Sequence, residues 1–167
     1  HPLKRRGNEI SIVKIRRNTK RYTMFEVKTI QGEIFTDHRG QISSLNNFVF
    51  EGVERFYFIH HPDKNVVRGW HGHQHEKKWF YCVKGSFTIA LVQPDDWDNP
   101  STNLPADIIQ LSEKDSKILC VPEGYANCIK AGEDNSILLV FSGKRIPEAY
   151  EDSWRYDSHL WVDWQKY

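Results

Sequence analysis

The sequence predicts an all-β protein, a sandwich or a small barrel, with one short helical segment near its C-terminus. Aromatic residues make up 13% of the chain, a share that favours strands over a helical bundle. Short apolar, β-branched and aromatic runs alternate with turn residues along most of the 167 positions. Only the stretch 148–160 has a composition compatible with a helical turn. This length suits one domain with a substantial core.

The predicted elements follow one another with turn signals between them. Lys84-Gly85 predicts a two-residue hairpin turn between strands at 79–83 and 86–92. Residues 93–106 carry three prolines among Asp and Asn, and they predict a surface loop. The other predicted strands are 10–15, 24–30, 34–35, 41–45, 55–60, the stretch that begins at 67, and then 108–111, 118–121, 126–129 and 136–141.

Charge and cysteine content exclude several classes of function. The net charge is +1, so no global attraction to nucleic acid is expected. The basic residues of 1–22 indicate a solvated arm or an edge strand, because no aromatic or binding motif accompanies them. No apolar run is long enough to span a membrane, and no signal peptide is visible. Three cysteines in apolar runs indicate free thiols and a cytoplasmic location.

Three histidines mark the stretch to which a function can be assigned. His71, His73 and His75 occupy every second position, so an extended strand places all three on one face. Neighbouring imidazoles are costly to bury, and packing alone rarely brings them together. We therefore expect His71 and His73 to serve a site, while His75 could equally face solvent beyond the end of the strand.

Two blocks resemble the signature of cupin barrels. His71-Gly72-His73 matches the first half, HxH, and the run from Pro122 to Asn127 matches the second half, PxGxxH. The cupin metal ligands are two His, a Glu and the final His, but here Lys78 (or Lys77) holds the Glu position and Asn127 the final one. An ammonium repels a cation, and Asn is a weak ligand for transition metals. The resemblance implies a cupin-type double-stranded β-helix, or jelly roll, without a metal.

Further blocks narrow the resemblance to the sugar-nucleotide cupins. Asp37-His38-Arg39-Gly40, Arg55-Phe56-Tyr57-Phe58-Ile59 and Val67-Arg68-Gly69-Trp70-His71-Gly72-His73 are similar to the dTDP-4-dehydrorhamnose 3,5-epimerases and the dTDP-sugar 3,4-ketoisomerases. The likeness covers about 34–164 of a single domain, 1–167. It implies metal-independent chemistry on a nucleotide-linked 4-keto-6-deoxyhexose, with no cofactor.

The resemblance also implies roles for individual residues. His71 matches the base that removes a proton next to the ketone, a role that suits a group titrating near neutral pH. Asp157 holds the position of the acid that orients this base. Lys78 matches a lysine beside the keto oxygen, where a cation would stabilise an enolate. Arg68 and Arg39 match arginines that hold the diphosphate.

One position departs from the epimerase pattern. Val140 stands where the epimerases carry the tyrosine that returns a proton from the opposite face, and valine cannot donate. This departure favours 3,4-ketoisomerisation, in which His71 and His73 share the proton transfers. Tyr57 and Tyr125 are the alternative acids, and together with Asn127 they are expected to contact the substrate.

Two functions of different class therefore remain from the sequence. The first is an isomerase or epimerase of deoxysugar or polysaccharide biosynthesis, with a nucleotide sugar as its substrate. The second is a cupin that binds a sugar nucleotide or saccharide without turning it over. In both cases we expect a homodimer, because aromatic residues on both faces of 79–83 exceed what one small core needs. No nucleic-acid or membrane partner is expected.

Overall fold

The computed structural model of the protein describes residues 26–167. The strands in this part of the chain are β1 (Lys28–Gln31), β2 (Glu33–Asp37), β3 (Gly40–Ser44), β4 (Arg55–His61), β5 (Val67–His73), β6 (Lys78–Lys84), β7 (Ser86–Val92), β8 (Asp107–Ser112), β9 (Lys117–Val121), β10 (Tyr125–Ala131), β11 (Ser136–Ser142) and β12 (Trp154–Arg155). A single helical turn, α1 (Glu148–Glu151), precedes β12, and a 3-10 turn (Trp164–Lys166) follows it.

The strands form two five-stranded antiparallel sheets and one hairpin. The first sheet has the order β1-β9-β6-β11-β4, and the second has the order β12-β5-β10-β7-β8. β2 and β3 pair with each other in a separate two-stranded sheet. Because neighbours in the sequence such as β5 and β6 lie in different sheets, the chain crosses repeatedly between the two layers.

The hydrophobic core lies between the inner faces of the two large sheets. β11 alternates buried and half-buried positions, so Leu138 and Val140 point inward from the first sheet. Phe87, Ile89 and Leu91 of β7 meet them from the second sheet. β7 is buried at almost every position, because its other face is also covered.

The C-terminal segment supplies that second cover. Trp70, Ala90 and Val92 on the outer side of the second sheet pack with Val162 and Trp164. The rings of Trp70 and Trp161 meet edge to face with centroids 4.9 Å apart. The tail is thereby fixed against β5, the strand that carries the histidines.

The hairpin predicted at Lys84-Gly85 is wrong, although both of its strands exist. β6 pairs with β11 and β9, whereas β7 pairs with β10 and β8 in the other sheet. Gly85 has a φ of +73°. A Cβ at Gly85 would lie 2.1 Å from the hydroxyl of Ser136, so this glycine allows a close crossing between layers.

The other sequence predictions agree with the structure to within a few residues. The loop at 93–106 contains no strand, and the predicted helical segment is the single turn α1 followed by β12. The strand predicted at 24–30 corresponds to β1, which starts at Lys28. The strand at 10–15 and the basic arm at 1–22 lie outside the described residues. Within 26–167, no helix is long and apolar enough to cross a membrane.

Candidate active site

A cavity of about 370 Å³ opens between the inner faces of the two sheets. Strands β4, β5, β6 and β10 and the segment from α1 to β12 line it. The described residues that line it carry four side-chain cations and no carboxylate; the cations are those of Arg55, Arg68, Lys78 and Arg155. This arrangement favours an anionic ligand.

A bulge in β5 positions the residues that contact this cavity. In a regular strand, Arg68 and His71 would point to opposite faces. Here the pairing with β10 passes from Gly69 opposite Cys128 to His71 opposite Asn127, so Trp70 is an extra residue. Arg68 and His71 therefore both line the cavity.

Glycine at position 69 is required by this bulge. Gly69 has a φ of +130°, which side chains rarely adopt. A Cβ there would lie 2.7 Å from the carbonyl oxygen of Asn127 and 2.8 Å from the Cα of Cys128. The Arg-Gly-aromatic-His block of the sequence thus encodes a specific backbone geometry next to the cavity.

His71 and His73 lie side by side with ring centroids 4.3 Å apart. The Nε2 atom of His71 is 2.8 Å from the hydroxyl oxygen of Ser153, and the side-chain amide of Asn127 donates a 3.3 Å hydrogen bond to the carbonyl of His71. Burial, and then the neighbouring side chains of His73, Lys78 and Arg155, lower the pKa of His71 to about 3. His71 is therefore neutral at physiological pH.

His73 has a different set of partners. Its Nδ1 atom lies 2.5 Å from the carbonyl oxygen of Asp152 and 3.0 Å from Oε2 of Glu76. Both oxygens are acceptors, so Nδ1 carries the proton. The Nε2 atom of His73 is buried and has no hydrogen-bond partner within the described part of the chain.

Glu76 is a fully buried carboxylate next to His73. The hydroxyl of Ser142 donates a 2.5 Å hydrogen bond to its Oε1, and the guanidinium of Arg55 lies 3.6 Å from the same oxygen. Burial alone would raise the pKa of Glu76, but contacts with His73, Lys78 and Ser142 lower it to about 2. Glu76 is therefore ionised at every pH at which the protein would work.

Lys78 and Tyr57 form a second polar pair on the first sheet. The ammonium of Lys78 donates a 3.2 Å hydrogen bond to the phenol oxygen of Tyr57, and both side chains line the cavity. Val140 lies next to both strands, opposite Tyr57 in β4 and Phe80 in β6. Val140 cannot donate a proton, but the phenol-bearing Tyr57 lies opposite it on the adjacent strand, β4.

Three predicted residues do not line this cavity. Arg39 is 73% exposed in the β2-β3 turn, where it forms a 2.6 Å ion pair with Asp37. Asp157, expected to orient His71, is 79% exposed and accepts a 2.8 Å hydrogen bond from the backbone N–H of His159. The position beside His71 is occupied by Ser153 instead, because β12 holds that part of the tail against β5. Tyr125 is half-buried at the start of β10, where it packs against the main core.

The sequence analysis missed several residues of the site. Asp152 holds the turn after β5, because its carboxylate accepts hydrogen bonds from the backbone N–H groups of Gln74 and His75. The other missed residues are Arg55, Glu76, Ser153 and Arg155. The one local signal was Glu76, a lone acid between the histidines and two lysines.

The site does not fit a cupin metal. No group of three or more His, Cys, Asp or Glu side chains in residues 26–167 is arranged to hold a metal ion. Lys78 lines the cavity from β6, and Asn127 faces it from β10. A cation would meet an ammonium on one side and an amide on the other.

Comparisons with known proteins place this geometry in a family. A model described as FdtA, WxcM-like, C-terminal, matches residues 20–156. No curated protein matches the chain significantly.

Solved structures with the same fold include three sugar-nucleotide enzymes. A variant of the 3,4-ketoisomerase QdtA from Thermoanaerobacterium thermosaccharolyticum, in complex with TDP-4-keto-6-deoxyglucose, is 23% identical, with a TM-score of 0.62 over 80% of this chain and 90% of that chain. The rmlC epimerase of Mycobacterium tuberculosis is 22% identical, with a TM-score of 0.65 over 83% and 74%. The dTDP-4-dehydrorhamnose 3,5-epimerase of Sulfolobus tokodaii is 21% identical, with a TM-score of 0.66 over 83% and 80%.

These likenesses confirm the predicted all-β cupin-type jelly roll. The family match covers β1 to β12, and it therefore includes every strand that contributes to the cavity. The chain belongs to the family of WxcM-like C-terminal domains described as FdtA.

Proposed function

We propose that this protein is a metal-independent isomerase of a nucleotide-linked, dTDP-type 4-keto-6-deoxyhexose, and that it moves the ketone between C4 and C3. The observation that carries the proposal is the cavity lined by the two adjacent histidines of β5 and by the hydrogen-bonded pair of Lys78 and Tyr57. A protein of the same fold is a 3,4-ketoisomerase in complex with TDP-4-keto-6-deoxyglucose. That ligand is a nucleotide-linked 4-keto-6-deoxyhexose. The pathway class would be deoxysugar or polysaccharide biosynthesis.

The charges of the cavity support a diphosphate-bearing substrate. Four cations line it, and the buried carboxylate of Glu76 is already in contact with His73, Ser142 and Arg55. Arg68 and Arg155 approach the cavity from neighbouring strands and have planar guanidinium groups that suit phosphate oxygens. A volume of about 370 Å³ lies within the range of small-molecule sites.

The proposed reaction needs only proton transfers. A histidine removes the proton from C3, the electron pair forms a C3=C4 double bond, and the C4 oxygen becomes an enediolate. The proton of the C3 hydroxyl then passes to the C4 oxygen, the C3 oxygen becomes the new ketone, and the proton taken from C3 is replaced by one delivered to C4. The sugar carbon that is oxidised and the one that is reduced belong to the same molecule, so no external oxidant or reductant is needed.

Lys78 and Tyr57 would fill the two remaining roles in the proposed reaction. The ammonium of Lys78 would stabilise the enediolate oxygen. Because Lys78 donates to the phenol oxygen of Tyr57, the phenol's own proton is free for a substrate. Tyr57 would therefore act as the acid that Val140 cannot be. Because Tyr57 is the one acid proposed on this side of the cavity, we expect the product to have a shifted ketone or one inverted centre, and not two inverted centres.

Deuterium exchange tests the reaction directly. Incubation with dTDP-4-keto-6-deoxyglucose in D₂O should introduce deuterium next to the ketone, and NMR of the product should show the 3-keto sugar. Removing a general base costs a factor of about 100 to 10,000, so His71→Asn and His73→Asn should each reduce exchange strongly while nucleotide binding is kept.

The outcomes of this experiment separate the candidate functions. Inversion at both C3 and C5 would identify a double epimerase and reject the ketoisomerase assignment. Binding of the nucleotide sugar without any exchange in the wild-type protein would favour the non-catalytic cupin. His38→Gln, in the exposed β2-β3 turn, is the control and should exchange like wild type.

We also propose that two copies associate through the outer face of the first sheet. Phe50, Phe56 and Phe58 are 61%, 62% and 49% exposed, and Phe56 and Phe58 lie on the edge strand β4. A patch of this kind on a single chain indicates a protein interface. Light scattering should give the mass of a dimer, and a Phe56→Glu, Phe58→Glu variant should give that of a monomer. A wild-type monomer at micromolar concentration would reject this proposal.

The proposed cytoplasmic location rests on the thiols. The three cysteines in the described residues are free and buried: Cys82, Cys120 and Cys128. Free thiols persist in a reducing compartment. Fractionation of cells that express the protein, with the product found outside the cytoplasm, would contradict this location.

A further inference from the structure

We propose that Phe80 and Ile129 contact C6 of the sugar, and that they make the protein select a 6-deoxy sugar over one that carries a hydroxyl at C6. This inference rests on the proposed function, because it names the group of that same substrate which the two residues recognise. Phe80 and Ile129 would determine specificity by direct contact, and neither would take part in proton transfer.

The exposure of the lining residues shows which end of the cavity is open. Arg68, Arg155 and Tyr150 line the cavity and are exposed, so they mark its mouth. His73 and Lys78 line the same cavity with only 3% and 7% of their surface exposed, so they mark its interior. The two arginines at the mouth suit the diphosphate, whose planar contacts they can form. The hexose, which is joined to the diphosphate at C1, therefore extends into the interior.

The interior has a polar side and an apolar side. Lys78, His73 and Asn127 present an ammonium, an imidazole and an amide. Phe80 and Ile129 are 1% and 2% exposed and present hydrocarbon alone. Both belong to the main core between the sheets, so the cavity ends against that core where they line it.

The backbone beside these two residues offers no replacement for water. β6, which carries Phe80, lies between β9 and β11, and β10, which carries Ile129, lies between β5 and β7. Their N–H and C=O groups are therefore paired within the sheets. A hydroxyl placed against Phe80 and Ile129 would lose its hydrogen bonds to water and gain none from either residue, which is unfavourable.

The inner end of a 4-keto-6-deoxyhexose has the same two-sided character. C4 lies opposite C1 in the pyranose ring, so it is the part of the sugar farthest from the diphosphate. The C4 ketone and the C3 hydroxyl lie to one side of it, and the methyl group on C5 lies to the other. When the ketone meets the polar side, at Lys78, the methyl group is directed to the apolar side. Burial of a methyl group against Phe80 and Ile129 is favourable.

Binding of two sugar nucleotides that do not react tests this selection directly. The probes are dTDP-6-deoxyglucose and dTDP-glucose, which differ only in the hydroxyl at C6 and have no ketone. In calorimetric titrations, wild-type protein should bind the 6-deoxy compound about 10- to 100-fold more tightly, the discrimination that an apolar pocket achieves against an added hydroxyl. Equal Kd values for wild type would overturn the proposal whether or not any variant folds.

A substitution at Ile129 then assigns the selection to this wall. Ile129→Thr keeps a β-branched side chain and adds a hydroxyl that can pair with the one on C6, so the preference should fall to less than about threefold. Binding of TDP, which lacks the sugar, should not change. Ile109→Thr is the matched control, because Ile109 and Ile129 flank Ile89 in the same sheet and pack in the same core, but only Ile129 lines the cavity. Ile109→Thr should keep the wild-type preference.

The remaining outcomes separate this inference from the proposed function. If Ile129→Thr keeps the full preference while its TDP binding is normal, or if Ile109→Thr loses the preference equally, this wall does not recognise C6 and the inference fails. If wild type exchanges deuterium with the 4-keto substrate but binds both probes equally, the inference fails and the proposed function stands. If wild type neither exchanges deuterium nor binds either probe, the proposed function fails and the inference fails with it.

Discussion

Replacement of His71 with glutamine should change how the free energy of unfolding depends on pH. In the folded protein the pKa of His71 is lowered to about 3 by burial and then by the neighbouring side chains of His73, Lys78 and Arg155. In the unfolded chain a histidine has a pKa of about 6.5. Between these two values the unfolded chain binds one proton that the folded protein does not bind. Folding stability is therefore lost as the pH falls from about 6.5 toward 3, and this loss stops below 3.

The size of the effect follows from the difference in bound protons. The slope is about 1.4 kcal/mol per pH unit while the difference is one proton, so the loss between pH 8 and pH 5 is about 2 kcal/mol. His71 lines an open cavity, and solvent screening reduces this to about 1–1.5 kcal/mol. Glutamine does not titrate, so the His71→Gln variant should lack this part of the acid sensitivity.

Urea unfolding between pH 5 and pH 8 measures the effect at one fixed protein concentration. As the pH falls from 8 to 5, the free energy of unfolding of wild type should fall by about 1–1.5 kcal/mol more than that of His71→Gln. The exposed His38→Gln variant is the control and should stay parallel to wild type. Parallel curves for wild type and His71→Gln would show that His71 takes up a proton equally in both states, which would refute the reasoning.

Three further predictions concern the lysine, the thiols and the metal. Lys78→Met should lower kcat by a factor of about 100 to 1,000, since an uncharged side chain cannot stabilise the enediolate, and unchanged steady-state kinetics would exclude that role. Burial raises the cysteine pKa values to about 11 or 12, so a disulfide reagent should modify these thiols only after unfolding, whereas rapid reaction of native protein would contradict their burial. Elemental analysis should find no stoichiometric Zn, Fe or Mn, and about one tightly held ion per chain would contradict the interpretation of Lys78 and Asn127 as incompatible with a metal.

The strands could be predicted because their signals are local. β4 and β11 show alternating burial, which follows from the two-residue period of a strand. The partner of a strand is not a local property, and the hairpin predicted at Lys84-Gly85 shows this limit. The turn residues are present, but Gly85 lies against Ser136, more than fifty positions along the chain, and this contact accompanies the crossing to the other sheet.

The same limit applies to the site. His71, His73 and Lys78 could be predicted because they lie on two successive strands and resemble a known block. Ser142 and Ser153 could not, because they reach the histidines and Glu76 only after distant strands pair. The error at Asp157 is of this kind: the tail does approach His71, but the register of β12 opposite β5 brings Ser153 to the ring and leaves Asp157 in solvent.

His71 and His73 lie two positions apart on the same strand, β5, but their rings have different partners. Ser153 contacts the ring of His71, and nearby cations disfavour its protonation. His73 faces a carboxylate that is held by Ser142 and Arg55. The surroundings of each ring therefore depend on residues outside the histidine motif: Ser153 lies beside His71, and the Ser142–Glu76 pair lies beside His73.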